Sequence, residues 1–156
     1  MGFRYALLAT ALLPLAAHAQ ALPDPQRGAI LADVDKRAPA FAATAKQIWN
    51  WSEVGYQEAK SSSLLQSELK KAGFAVTPGV AGIPTAFVAS FKNGNGPVIA
   101  ILAEYDALPG LAQQAVPTRT PIAGKAAGHG CGHNLFGAAS VTAALAIKDW
   151  MVANKV

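Results

Sequence analysis

The segment His129-Gly130-Cys131-Gly132-His133-Asn134 places two of the three histidines and the only thiol of the chain within five consecutive positions. A thiolate and neutral imidazoles are ligands that zinc and its transition-series neighbours accept. The intervening glycines let the backbone fold tightly enough for several side chains to face one point. Spacing alone leaves a second reading open, a glycine-rich turn carrying a buried cysteine and two exposed histidines. A second group, Glu104-Tyr105-Asp106, follows the apolar run Val98-Ile99-Ala100-Ile101-Leu102-Ala103. An acid in that place either orients ligands from a strand end or simply caps the turn that follows.

The elements that must position these groups are legible as patterns. Apolar residues at Ile30, Leu31, Val34, Phe41, Ala45, Ile48 and Trp49 predict a helix over 27–51, with Pro39 as a break or restart. A second helix is expected over 58–72, with Leu64, Leu65 and Leu69 on one face, Lys70-Lys71 in its last turn and Gly73 as its stop. Three β-prone runs follow, at 74–77, 85–91 and 98–104. The Asn93-Gly94-Asn95-Gly96 stretch predicts a hairpin turn between the last two. The unbroken apolarity of 98–103 predicts a strand covered on both faces of a layered α/β sheet. A loop over 109–128 and a last helix over 135–154 complete the reading, the latter with Val141, Leu145, Ile147, Trp150 and Met151 apolar. Ligand sites of open α/β sheets gather outside the carboxyl ends of strands, and helix N-termini there favour anions. The acidic pair and the His-Cys-His cluster are therefore candidates for one site.

The N-terminus reads differently. Arg4, an apolar run over 6–17 and the small-x-small sequence Ala17-His18-Ala19 describe a secretory signal over 1–19, too short for the ~20 residues of a spanning helix. The expectation is an exported protein, periplasmic or secreted, without membrane attachment after cleavage. Residues 20–31 are read as a leader, Pro-rich over 21–26, and 32–156 as one domain. Removing the signal takes Arg4 and His18 with it and lowers the formal charge from +4 to +3. No basic stripe with interleaved aromatics is present, so nucleic acid is not an expected partner. One cysteine cannot form an internal disulfide, and a lone thiol in an oxidising compartment is a liability unless buried or bound to metal.

Two stretches carry a family resemblance. Residues 101–111, ending Glu104-Tyr105-Asp106-Ala107-Leu108-Pro109-Gly110-Leu111, and residues 128–137 around His129-Gly130-Cys131-Gly132-His133-Asn134 resemble the metal-dependent amidohydrolases and peptidases of the aminoacylase–carboxypeptidase type. Within them the chain is most similar to the p-aminobenzoyl-glutamate hydrolase branch. The stretches 48–56 and 82–89 resemble it too, in the expected order, so the likeness runs from about Ala32 to the C-terminus. It implies the N-terminal portion of a three-layer α/β/α zinc-peptidase-like catalytic domain. It also implies two divalent ions in the full-length family, zinc or manganese first among them. Cys131 and His133 match metal ligands of the branch, and Asp106 matches an acid that orients ligands. Glu104 stands where many relatives outside the branch carry a metal-binding histidine. His129 is expected to bond substrate, to support the site, or to be a passive loop residue. Asn134 replaces the aspartate of many auxin-conjugate hydrolases.

The chemistry so implied is hydrolysis of amide bonds in N-acyl amino acids or aminobenzoyl-glutamate-like small molecules. A metal lowers the pKa of its water to roughly 7 in favourable sites, and a carboxylate shuttles the proton. That carboxylate comes from a Glu-Glu pair in the family, whereas Asp149 is the sole acid after His133 here. The general base is thus expected beyond Val156, together with further ligands and a dimerisation domain. The expectation is a fragment that is inactive by itself, with a homodimer only for a full-length form. Two alternatives remain: a small periplasmic metal-binding protein, or an inactive structural remnant.

Overall fold

The computed structural model describes residues 24–156. The expected signal over 1–19 lies outside them, as does the start of the expected leader. Three helices dominate: α1 (Asp24–Trp51), α2 (Ala59–Lys71) and α3 (His133–Asn154). Four short strands, β1 (Ala75–Pro78), β2 (Phe87–Ser90), β3 (Leu108–Pro109) and β4 (Ala127–Gly128), form two antiparallel pairs, β1–β2 and β3–β4. The chain is thus of the α/β class.

α1 begins three residues earlier than its apolar pattern, inside the expected leader, and runs unbroken through Pro39. Proline removes one intrahelical donor and its ring crowds the carbonyl four residues back, yet α1 continues through it, packed against α3. Arg37 joins the two helices, bonding Asp33 one turn back and Asp149 on α3. α2 stops where expected: Gly73 takes φ +91°, and the N–H of Phe74 returns to the carbonyl of Leu69 at 3.0 Å. Its start is capped from a distance. The Glu53 carboxylate accepts the N–H groups of Lys60 (3.0 Å) and Ser61 (2.8 Å) and the Ser61 hydroxyl (2.8 Å). A carboxylate at this end also complements the helix dipole.

The core forms where the three helices meet the β1–β2 hairpin. Ile48 of α1, Leu65 and Leu69 of α2 and Val141 of α3 are its buried centre, flanked by Phe74, Val76, Phe87 and Tyr105. α3 is long and apolar enough to cross a membrane by length and composition. Its buried positions are Asn134, Gly137, Ala138, Val141 and Ala146, a helical face of mostly small residues.

Two expectations are corrected. The hairpin expected across Asn93–Gly96 does not form; β2 pairs with β1 instead, in the register Ala75↔Ser90 to Pro78↔Phe87. A two-residue turn of the favoured kind needs positive φ, and neither Gly94 nor Gly96 adopts it. The Asn93 side chain is engaged elsewhere, donating to the carbonyls of Met151 (3.0 Å) and Val156 (2.6 Å) at the end of α3.

The second correction concerns the covered strand expected over 98–104. This segment has no strand partner among the described residues, and Val98, Ile99 and Leu102 are 98%, 79% and 81% exposed. It runs antiparallel to α3: Ser140 Oγ donates to the Leu102 carbonyl at 2.8 Å, and Gly137 lies against Glu104 and Tyr105. α3 covers one side, and no hydrogen-bonded neighbour among the described residues covers the edges. The carboxyl end of the segment is nevertheless anchored. Val54 and Ala107 form a parallel bridge, and the Ala107 N–H donates to the Glu53 carbonyl at 2.7 Å.

Candidate metal centre

Glu104 and Asp106 sit two residues apart on extended backbone, so their side chains share a face while Tyr105 points the other way. Tyr105 is committed to the core side: its hydroxyl donates to the Thr85 carbonyl, and its ring stacks on Phe87 at 6.1 Å between centroids. Burial raises its pKa, so the phenol keeps its proton. The two carboxylates are left facing the start of α3.

His133 is the first residue of α3, introduced by Gly132 at φ +85°. That left-handed turn is one a side chain resists. Here it swings the imidazole between the acids. Nδ1 lies 2.8 Å from Asp106 Oδ1, and Nε2 lies 3.0 Å from Glu104 Oε2. One donor atom from each of Glu104, Asp106 and His133 lies within 4.8 Å of the other two. The His133 side chain is mostly covered, Asp106 is part-buried and Glu104 is the exposed member.

These donors suit a divalent cation. Oxygen and imidazole ligands fit zinc and manganese alike, and two carboxylates supply the negative charge such an ion needs. Each ring nitrogen lies within hydrogen-bond distance of one carboxylate, so a cation held by Nε2 and Glu104 would leave Nδ1 to donate to Asp106. An imidazole oriented by a carboxylate is the usual support of a metal-bound histidine.

The remaining expected residues lie apart. Cys131 is exposed and belongs to no donor group among the described residues, although one residue separates it from His133. His129 is buried; its Nε2 meets the Ile48 carbonyl at 3.1 Å and its ring lies 6.2 Å from that of Trp49. Burial lowers its pKa and favours the neutral ring. Asn134 is buried beside it, its Nδ2 donating to the Ala45 carbonyl at 3.2 Å. Sequence reasoning missed Glu53, which caps α2 with its side chain and holds Ala107 with its carbonyl. Nothing in its spacing marks it, because both partners lie in other elements.

An α/β domain that sets an imidazole between two carboxylates, at the end of an extended segment and the start of a helix, has the build of a metallohydrolase domain. The sequence matches no family model. It is 51% identical over 112 residues to one of the p-aminobenzoyl-glutamate hydrolase polypeptides of Escherichia coli, covering 71% of this chain and 23% of that protein. It is 34% identical over 125 residues to the Xaa-Arg dipeptidase of Mus musculus, covering 74% of this chain and 25% of that one. Thermostable carboxypeptidase 2 of Saccharolobus solfataricus is 36% identical over 83 residues, 53% of this chain and 20% of its own length. These relatives are hydrolases of amide and peptide bonds by name. The chain belongs to the amidohydrolase and peptidase family of the aminoacylase–carboxypeptidase type. It spans about a quarter of the length of the curated relatives it matches.

Proposed function

We propose that this chain provides one wall of the metal centre of an exported amidohydrolase. Its substrates are N-acyl amino acids or aminobenzoyl-glutamate-like amides. The observation that carries the reading is the convergence of Glu104, Asp106 and His133, in a chain whose relatives cleave such bonds. In this reading His133 Nε2 and a Glu104 oxygen hold the cation, while Asp106 keeps the proton on Nδ1 and fixes the ring. Cys131, at the exposed rim, is within one residue of the centre and available as a further ligand. The ion, zinc or manganese, would polarise the amide carbonyl and activate water. Three donors do not close a dinuclear centre, so the other ligands and the general base are assigned to the three quarters of the relatives' length outside the match. The homodimer belongs to that longer form.

For the chain by itself, the donor count favours a second reading, metal binding without hydrolysis. Titration with zinc or manganese, followed calorimetrically, tests the common core of both. Binding is expected in the parent and lost in His133→Ala; a parent that binds neither ion overturns them. Turnover of an aminoacyl amide by the chain alone would overturn the division of labour. Export predicts a mature N-terminus at Gln20 in the periplasmic or secreted fraction, readable by N-terminal sequencing. A cytoplasmic protein retaining Met1 would refute it.

A further inference from the structure

The turn that carries Cys131 and His133 is fastened at both ends to α1. His129, two residues before Cys131, reaches the Ile48 carbonyl with Nε2 (3.1 Å), and Asn134, directly after His133, reaches the Ala45 carbonyl with Nδ2 (3.2 Å). The two carbonyls lie three residues apart, on one face of α1 near its C-terminal end. Both side chains are at least nine-tenths buried. Each is held by one bond only: His129 Nδ1 and Asn134 Oδ1 are buried without a protein partner. Polar groups half-satisfied in this way serve a core worse than leucine would. Their placement is explained by what lies between them. The turn has backbone bonds of its own, Gly130 N–H to the Gly128 carbonyl (3.0 Å) and Gly132 N–H to the His129 carbonyl (3.2 Å), and it leads directly into α3. The two side-chain ties add what those local bonds do not supply, a fixed position of the turn on α1.

We propose that His129 and Asn134 are positioning residues, a two-point clamp on α1 that aims His133 at Asp106 and Glu104. The proposal rests on the metal-centre reading above and adds to it the device that preorganises the ligand. It also requires the His129 tautomer with the proton on Nε2, the one that donates to Ile48.

Two readouts test it, one free of metal. In the metal-free chain, the His133 Nδ1–H bonded to Asp106 is followed by imidazole ¹H–¹⁵N correlation; zinc affinity is then measured by competition with a chromophoric chelator. His129→Leu and Asn134→Ala are expected to shift or broaden the His133 signal and to weaken zinc about tenfold or more, the scale found when a ligand's supporting partner is removed. His129→Gln, which restores a donor near Nε2, is expected to recover most of both. Lys125→Met is the structural control. Lys125 also reaches α1, at the Trp49 (3.3 Å) and Asn50 (3.2 Å) carbonyls, but lies outside the turn. It should lower the melting temperature without moving either readout. Should His129→Leu not fold, Asn134→Ala decides by the same measurements. An unchanged His133 signal and unchanged zinc affinity in folded His129→Leu or Asn134→Ala overturns the clamp. A parent that binds no zinc, yet shows the clamp-dependent His133 signal, overturns the metal centre and leaves the clamp standing.

Discussion

At the scale of single residues, two glycines in the cluster turn do different jobs, and the difference is measurable. A Cβ on Gly128 would sit 2.3 Å from the Leu111 carbonyl oxygen and 2.7 Å from Ala112 Cα, both backbone atoms of the facing loop. One on Gly130 would meet Leu111 Cδ1 at 2.6 Å, the far end of a side chain that can rotate. Gly128→Ala is therefore expected to cost about 2 kcal/mol, the range for overpacking that moves backbone. Gly130→Ala should cost about 1 kcal/mol or less, the scale of a rotamer adjustment. Chemical denaturation of the two variants checks the order, and equal losses would contradict it. That Glu104 and Asp106 stand at the end of an apolar run and neighbour the His-Cys-His turn in one candidate site was legible from the sequence. That His133 rather than a residue of another element meets this face was not, because it depends on where α3 starts against the segment.

At the scale of elements, the informative contacts are the long-range ones. Glu53 caps α2 across a seven-residue gap, a device no local pattern announces. Glu53→Ala should destabilise the chain by about 1 kcal/mol, as the loss of a helix N-cap does. Thermal unfolding would show this, and an unchanged midpoint would argue that the cap is idle. Asp149, on α3 and facing Arg37 of α1, carries a pH dependence. Lys148 holds the Asp149 carboxyl below its ordinary value and Arg37 adds to the effect, while burial opposes it. A lowered folded pKa means that the charged form is favoured in the fold. Its stability is present above the unfolded carboxyl pKa of about 3.9 and fades as pH falls through the folded value. Asp149→Asn should therefore be less stable than the parent at neutral pH, with the gap closing in acid. Denaturation curves across the acid range test it, and a gap independent of pH would exclude this ion pair as the cause.

At the scale of the whole molecule, the described residues place their most apolar extended segment outside the core. Val98, Ile99 and Leu102 are exposed along a segment without strand partners among those residues. Unpaired backbone edges beside bare apolar side chains invite association with other strands. Backbone amides of 98–102 are expected to exchange rapidly in a monomeric sample. Val98→Lys or Ile99→Thr should reduce light scattering at equal concentration while leaving the helical circular dichroism intact. Protection of these amides in a monomer, or scattering indifferent to both substitutions, would refute this. The helices and their order were legible because each carries its own apolar period, and the second also its glycine stop at Gly73. The strand pairing was not, since the Asn-Gly stretch satisfies a hairpin's composition without adopting its dihedral angles.

The sequence by itself determined what kinds of group this protein has to work with: three helices with local stops, an apolar run ending in two acids, and a glycine-spaced His-Cys-His turn ahead of the last helix. It carried the family as well, since the identity to the relatives is read from the sequence alone. Only the tertiary structure decided which groups meet. His133 joins Glu104 and Asp106 because α3 packs antiparallel to the segment that carries the acids. Side-chain convergence is set by packing between distant elements, and no spacing along the chain encodes it.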